Sequence, residues 1–183
     1  MAFVFALCLT AGLQAERGNY TVGSGTGTTN EAPVNNTFRN PFTEIIYRAS
    51  YINSRPGRVE SISFKYAFDV IMTEKPAVTI YLANTTVEEF ETARAWQLDN
   101  LQRVYTGAFN CHEGWNTLEF DTTFFYTGNN LLVVIDDYSG SYDGEAYKFY
   151  FTQSWGNTVL RTQNDNGDWS VGRWLQQVVH LQG

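Results

Sequence analysis

The chain has 183 residues, including 13 Phe, 11 Tyr and 5 Trp, and its 19 acidic and 12 basic side chains give a formal net charge of -7. This length is typical of one domain with a hydrophobic core of its own. An apolar content of 43% excludes an intrinsically disordered chain. The acidic balance argues against nucleic acid and against an acidic membrane surface as partners, because both are bound by clustered Lys and Arg.

The first segment of the chain, residues 1–15, contains no charged side chain, and residues 2–13 are mostly apolar. It ends in Leu-Gln-Ala, an acceptable small-residue cleavage site, so we expect the later part of a secretory signal peptide that lacks its basic start. A buried N-terminal strand is the alternative. The segment is too short to span a bilayer, which takes about 20 apolar residues. We therefore expect a secreted or cell-surface protein with a single domain over residues 16–183.

Removal of residues 1–15 would leave Cys111 as the one cysteine, so no internal disulfide is expected. A cysteine nucleophile needs a base, and the chain contains only His112 and His180. Cys111 and His112 are neighbours in sequence and would point to opposite faces of a strand. We expect a buried, inert thiol, and the few His and Cys residues also make a zinc site a poor fit.

Most of the sequence alternates between short runs of β-branched and aromatic residues and clusters of Gly, Asn, Asp, Ser and Pro, which is the pattern of a sheet protein. The predicted strands are 20–23, 45–51, 59–68, 77–83, 103–109, 115–120, 131–136, 147–153, 159–162 and 177–181. In one of them Ile62, Phe64 and Tyr66 share a face, as in a strand with one face in the core. Residues 131–135 are apolar on both faces and should lie centrally.

These short strands predict an all-β fold, a two-sheet antiparallel β-sandwich of jelly-roll-like form with about 8–10 strands. At most one short helix is expected. Thr86-Val87-Glu88-Glu89 has the spacing of a capping box, so residues 88–96 could form one or two helical turns.

An acidic loop follows the predicted central strand, from Asp136 to Glu145. Its four carboxylates belong to Asp136, Asp137, Asp143 and Glu145. Calcium takes six to eight oxygen ligands, so a loop of this kind is a candidate Ca²⁺ site, although its spacing is not that of an EF-hand. A solvated surface turn is the alternative.

Several aromatic residues stand in polar, loop-like surroundings, in contrast to Trp115, which we expect in the core. An indole or phenol presented from a loop can stack on a sugar ring or anchor a protein partner. The alternative is that these residues cap the ends of the sandwich. The candidate ligand-binding residues are Trp155, Trp169, Trp174, Tyr138 and Tyr142.

No catalytic constellation is recognisable. The sequence has no Gly-x-Ser-x-Gly elbow, and the glycine-rich residues 23–28 lack the ending of a phosphate-binding loop. A glycosidase needs two carboxylates at a fixed separation, and nothing in the sequence selects a pair.

The ordered set of short motifs resembles a β-sandwich module of secreted and cell-surface proteins from Bacteroidetes-type bacteria. The pieces that carry the likeness are residues 21–28, 33–35, 44–47, 62–64, 78–82, 114–118, 130–134, 136–137 and 140–142. The resemblance implies a jelly-roll-like, non-catalytic accessory or adhesin module that binds glycans and holds calcium. It transfers no binding residue.

Three functions follow as expectations. The first is an exported, non-catalytic binding module for glycans, stabilised by calcium. The second is a structural or adhesion subunit whose partner is another surface protein, and the third is a glycoside hydrolase or lyase.

Overall fold

A computed structural model describes residues 18–72, 75–92, 95–141, 147–162, 169–172, 175–177 and 179–182, and from residue 162 onwards it describes the backbone alone. The expected signal peptide over residues 1–15 therefore lies outside the described residues. Within the described part of the chain no helix is long and apolar enough to cross a membrane.

The described residues form thirteen short strands and one helical turn, α1 (Ala49–Ile52). The strands are β1 (Asn19–Val22), β2 (Gly27–Thr29), β3 (Phe42–Tyr47), β4 (Gly57–Tyr66), β5 (Val78–Thr85), β6 (Gln102–Gly107), β7 (Gly114–Tyr126), β8 (Asn130–Asp137), β9 (Phe149–Gln153), β10 (Val159–Thr162), β11 (Trp169–Gly172), β12 (Leu175–Gln177) and β13 (Val179–Gln182).

Two antiparallel sheets make up the fold, which confirms the predicted β-sandwich. The sheet that we call the β4 sheet has seven strands in the order β1-β13-β4-β9-β12, with β2 paired to β9 and β7 paired to β4. The other, the β8 sheet, has six strands in the order β11-β10-β3-β8-β5-β6. From β3 to β5 and again from β7 to β10, successive strands alternate between the sheets, as in jelly-roll-like folds.

The main core lies between the two sheets and is rich in aromatic rings. Ile62, Phe64 and Tyr66 are buried on the inner face of β4, as the alternation predicts. Phe64 packs edge to face against Phe109, with ring centroids 5.6 Å apart. Phe149 joins them, 5.9 Å from Phe109. A core of this kind supplies the burial that a fold without disulfides requires.

A second hydrophobic cluster covers the outer face of the β8 sheet. Leu132 and Val134 of β8 point into it, while Leu131, Val133 and Ile135 point into the main core. This confirms that residues 131–135 lie centrally and are buried on both faces. The cover comes from the connection between β5 and β6, which contributes Val87, Phe90, Trp96 and Leu101.

That connection corrects the expectation of a helix over residues 88–96. Residues 88–92 and 95–96 are not helical. The backbone N–H of Phe90 donates to the carbonyl of Asn157, 2.7 Å away, instead of to a carbonyl one turn earlier. Packing of Phe90 on the sheet thus outweighs the local capping signal, since isolated short helices are marginal without tertiary support.

Three other sequence predictions need correction. The strand predicted over residues 45–51 ends at Tyr47, because the N–H of Ala49 donates to the Asn130 side chain and α1 follows. The predicted strands lack β2 and β11, and they give β12 and β13 as one strand over residues 177–181. Trp115 is only half-buried, because it lies opposite Lys65 in the register and not opposite a core residue.

Candidate functional site

The loops of the sandwich gather at two opposite ends. In the β3–β8 register, Tyr47 pairs with Leu131 at one end and Phe42 pairs with Asp136 at the other. At about 3.4 Å per residue the ends are roughly 17 Å apart. We call them the Trp155 end (loops around residues 48–56, 84–90, 127–130 and 154–158) and the Tyr138 end (residues 38–41, 69–72, 75–77, 108–114 and 136–141).

Trp155 is the most exposed large apolar side chain of the described residues, with 73% of its surface accessible. Its loop is held on both sides. The hydroxyl groups of Ser154 and Thr158 are 2.7 Å apart and buried, and the Thr158 carbonyl accepts from the N–H of Ile46 at 2.9 Å. The indole is therefore presented from a fixed backbone.

Neighbouring loops at the Trp155 end are joined by hydrogen bonds between distant parts of the chain. Asn130 links two of them, because its carbonyl oxygen accepts from Ala49 N–H at 2.9 Å and its amide donates to the Val87 carbonyl at 2.9 Å. Asn84 plays the same part for the 127–130 loop, accepting from Thr127 N–H at 2.9 Å. Hydrogen bonds thus connect the loops at the end of the sandwich that carries the exposed indole.

Arg48 and Glu89 lie beside the Trp155 loop. Arg48 Nε donates to the Glu88 carbonyl at 3.0 Å, and its Nη2 is 3.9 Å from Glu89 Oε2. The Arg48 side chain is 18% exposed and that of Glu89 is 53% exposed. The guanidinium is thus built into the loops, while the carboxylate faces solvent.

At the opposite end, Tyr138 is 64% exposed. Its hydroxyl donates a hydrogen bond to the Asp136 carboxylate, and this bond raises the pKa of Tyr138 to about 12. Burial, reinforced by the nearby charge of Asp137, raises the pKa of Asp136 although the Tyr138 bond opposes the shift. Of the predicted aromatic and acidic candidates, these two residues are in direct contact.

Asp137 is engaged in a buried ion pair that the sequence did not predict. Its Oδ2 is 2.8 Å from Lys75 Nζ, and neither side chain is exposed. Lys75 also donates to the carbonyls of Phe38 at 2.7 Å and Ser141 at 3.0 Å. The ammonium group therefore joins three segments of the Tyr138 end.

The other candidate calcium ligands are only partly described. Asp143 and Glu145 lie outside the described residues, as does Tyr142. Within the described parts of the chain, no three His, Cys, Asp or Glu side chains lie close enough together to hold a metal ion. Calcium binding stays a prediction. The Asp137 carboxylate is less available as a calcium ligand, because the Lys75 ammonium already compensates its charge.

Trp169 is the other predicted tryptophan that falls within the described residues. The backbone of Trp169 lies in β11, opposite Thr162 of the neighbouring strand. Thr162 follows Arg161, which pairs with Thr43, so Trp169 is at the end of the β8 sheet that carries Asp136. Trp174 lies outside the described residues. The structure thus separates Trp155 from Tyr138 and Asp136.

A shallow cleft of about 400 Å³ opens at the Tyr138 end beside Cys111 and His112. Cys111 is buried, and burial raises the pKa of its thiol, which confirms the expected inert cysteine. His112 Nδ1 is 2.5 Å from the Asn116 side-chain oxygen. The side-chain NH₂ group of Asn116 donates to the backbone carbonyls of His112 and Gly114. The cleft is lined by Ile71, Asn110, Cys111, His112, Asn116 and Thr117. None of these residues is acidic.

Glu44 is a second buried carboxyl that sequence reasoning missed. It lies on β3 under the 86–101 connection, and its Oε2 accepts from the N–H of Gln97 at 2.9 Å. Burial raises the pKa of Glu44 to about 7, with the Gln97 bond opposing the shift. Glu44 precedes the predicted strand 45–51, whereas β3 begins at Phe42 and includes it. Its burial also depends on the connection between β5 and β6, part of which was predicted to be helical.

No protein-family model, curated protein or solved structure matches this chain significantly. The fold and the geometry of its two loop ends are therefore the basis for any functional argument.

Proposed function

We propose that this protein is an exported, non-catalytic glycan-binding module whose binding surface is the Trp155 end of the sandwich. The observation that supports the proposal is the 73% exposed indole of Trp155, held on a loop with a buried hydroxyl pair. A flat aromatic face with a polar edge stacks on the C–H face of a sugar ring, and a rigid loop reduces the ordering cost of binding.

Export is supported by the apolar, uncharged residues 1–15. The resemblance to surface modules of Bacteroidetes-type bacteria points the same way. In this setting the module would hold an enzyme or a cell at a polysaccharide, and the chemistry would belong to its partners.

A glycan array followed by affinity electrophoresis tests the proposal. The wild type should bind at least one polysaccharide, Trp155→Ala should lose that binding, and Tyr138→Ala should keep it. Tyr138 is a matched control, because it is similarly exposed but lies at the opposite end. If no glycan binds, or if both variants bind like the wild type, the proposal is wrong.

A second candidate, a structural or adhesion subunit bound to a surface protein, is favoured by another observation. Val70 and Ile71 are exposed neighbours at the Tyr138 end, where Ile71 borders the His112 cleft. Aliphatic side chains suit a protein surface better than a sugar, because they bury area without offering hydrogen bonds. Cross-linking in the native cell, compared between wild type and Ile71→Ser, would identify such a partner.

A further inference from the structure

A carboxylate lies immediately beside the backbone of the Trp155 loop. Gly156 follows Trp155 in the chain, and a Cβ atom at Gly156 would clash with Glu89 Oε2. The same atom would be 3.0 Å from Arg48 Nη2. The absence of a side chain at Gly156 therefore lets Glu89 approach the loop that carries the indole.

Arg48 lies beside this carboxylate without a close hydrogen bond between Nη2 and Oε2. The 3.9 Å between Arg48 Nη2 and Glu89 Oε2 is longer than a hydrogen bond, so the contact is electrostatic. The guanidinium already donates to the Glu88 carbonyl. The Glu89 side chain is 53% exposed, so its carboxylate can accept hydrogen bonds from a ligand, whereas the Arg48 side chain is only 18% exposed.

From this geometry we infer that Trp155 and Glu89 form one recognition unit for a neutral, hydroxyl-rich sugar ring. This inference rests on the proposed glycan-binding function and specifies the ligand class. The indole face takes the C–H side of the ring, and the Glu89 carboxylate accepts from hydroxyl groups on the ring edge.

Anionic sugars are disfavoured at the same surface. A uronate or sulfate group on a sugar that extends from Trp155 over the Gly156 backbone would meet the Glu89 carboxylate, and like charges in a partly desolvated site repel. The chain as a whole carries a formal charge of -7, which adds to the repulsion at long range. A neutral ring avoids this cost and keeps both contacts.

Isothermal titration calorimetry with defined hexasaccharides tests the inference. The panel consists of neutral hexasaccharides of glucose, mannose, xylose and galactose, and of hexagalacturonate as the anionic probe. We expect binding to at least one neutral member and none to hexagalacturonate. Glu89→Gln should weaken the neutral interaction about 10- to 100-fold, the range for losing hydrogen bonds to a charged acceptor.

Glu91→Gln is the matched control, because Glu91 is an exposed glutamate of the same connection. It should bind as the wild type does. Trp155→Ala should abolish binding, and an unchanged urea unfolding curve for each variant would show that the fold is intact.

The outcomes separate the inference from the function on which it rests. If hexagalacturonate binds as well as the neutral members, or if Glu89→Gln binds them unchanged, the inference is wrong while glycan binding stands. If no member of the panel binds, the proposed function and the inference both fail.

Discussion

The Lys75 ammonium and the Asp137 carboxylate lie 2.8 Å apart in the interior, and neither side chain is accessible to solvent. The pair joins the end of β8 to the segment that precedes β5, at the Tyr138 end of the sandwich. Two further hydrogen bonds from Lys75 to backbone carbonyls satisfy the ammonium group. Such a pair is costly to break on one side, because the remaining charge stays buried alone.

Lys75→Met should therefore lower the free energy of unfolding by about 3–5 kcal/mol. The double variant Lys75→Met/Asp137→Asn should be more stable than this single variant, because it removes both charges. Urea unfolding followed by tryptophan fluorescence measures both. A double variant no more stable than the single one would contradict the description of the pair.

Much of the fold follows from local patterns. The alternation of Ile62, Phe64 and Tyr66 predicted the core face of β4, and the apolar run 131–135 predicted a central strand. Both signals are local, because successive side chains of a strand point to opposite faces, so the order of apolar and polar residues shows which faces are buried. β2 escaped prediction because Gly27, Thr28 and Thr29 carry no apolar alternation, and their pairing with β9 is long-range.

The candidate site was predictable only in part. The polar residues around Trp155 in the sequence indicated an exposed indole, and the Trp155 side chain is 73% exposed. Nothing local could indicate that Glu89 approaches Gly156 or that Lys75 pairs with Asp137, because these contacts join segments more than sixty residues apart. Such partners depend on the arrangement of the sheets.

Glu44 should make stability depend on pH. Its pKa is about 7 in the folded protein and about 4.5 ordinarily, so the folded state holds the proton more tightly. The unfolding free energy should therefore fall by roughly 3 kcal/mol as the pH rises from about 4.5 to about 7.

Glu44→Gln should remove that slope, because a neutral amide replaces the carboxyl and can still accept from Gln97. Chemical unfolding between pH 4 and pH 8 measures the effect, with Glu119→Gln, an exposed glutamate of β7, as the control. If the slope is the same in wild type and Glu44→Gln, Glu44 does not keep its proton in the folded state.

Alanine substitutions at Gly156 and Gly140 distinguish the effect of backbone strain from the effect of a steric clash. Both have positive φ, 78° and 66°, but a Cβ at Gly140 would meet no atom within 4 Å. Gly140→Ala should cost about 1–2 kcal/mol from the left-handed backbone alone. Gly156→Ala should cost a similar amount, because the clashing atom is the end of the half-exposed Glu89 side chain and can move. It should nevertheless weaken glycan binding, because the methyl group displaces the Glu89 carboxylate. If Gly156→Ala binds the glycan as well as Gly140→Ala does, the Glu89 contact has no effect on binding.

The calcium hypothesis predicts a higher melting temperature in millimolar Ca²⁺ than in chelator. A metal that binds only the folded state adds about 2.7 kcal/mol at a hundred times its dissociation constant. Asp136→Asn should reduce the difference, because Asp136 is the described candidate ligand not paired with Lys75. Identical melting curves in Ca²⁺ and in chelator would show that the folded protein does not bind calcium.

The most direct measurement of the central claim follows the indole N–H signal of Trp155 in ¹⁵N-labelled protein during titration with a bound neutral hexasaccharide. The signal is assigned by its loss in Trp155→Ala. Our account predicts a saturable shift of this signal, with the Tyr138 end unperturbed. A bound sugar that leaves the Trp155 signal in place while residues at the Tyr138 end shift would contradict it.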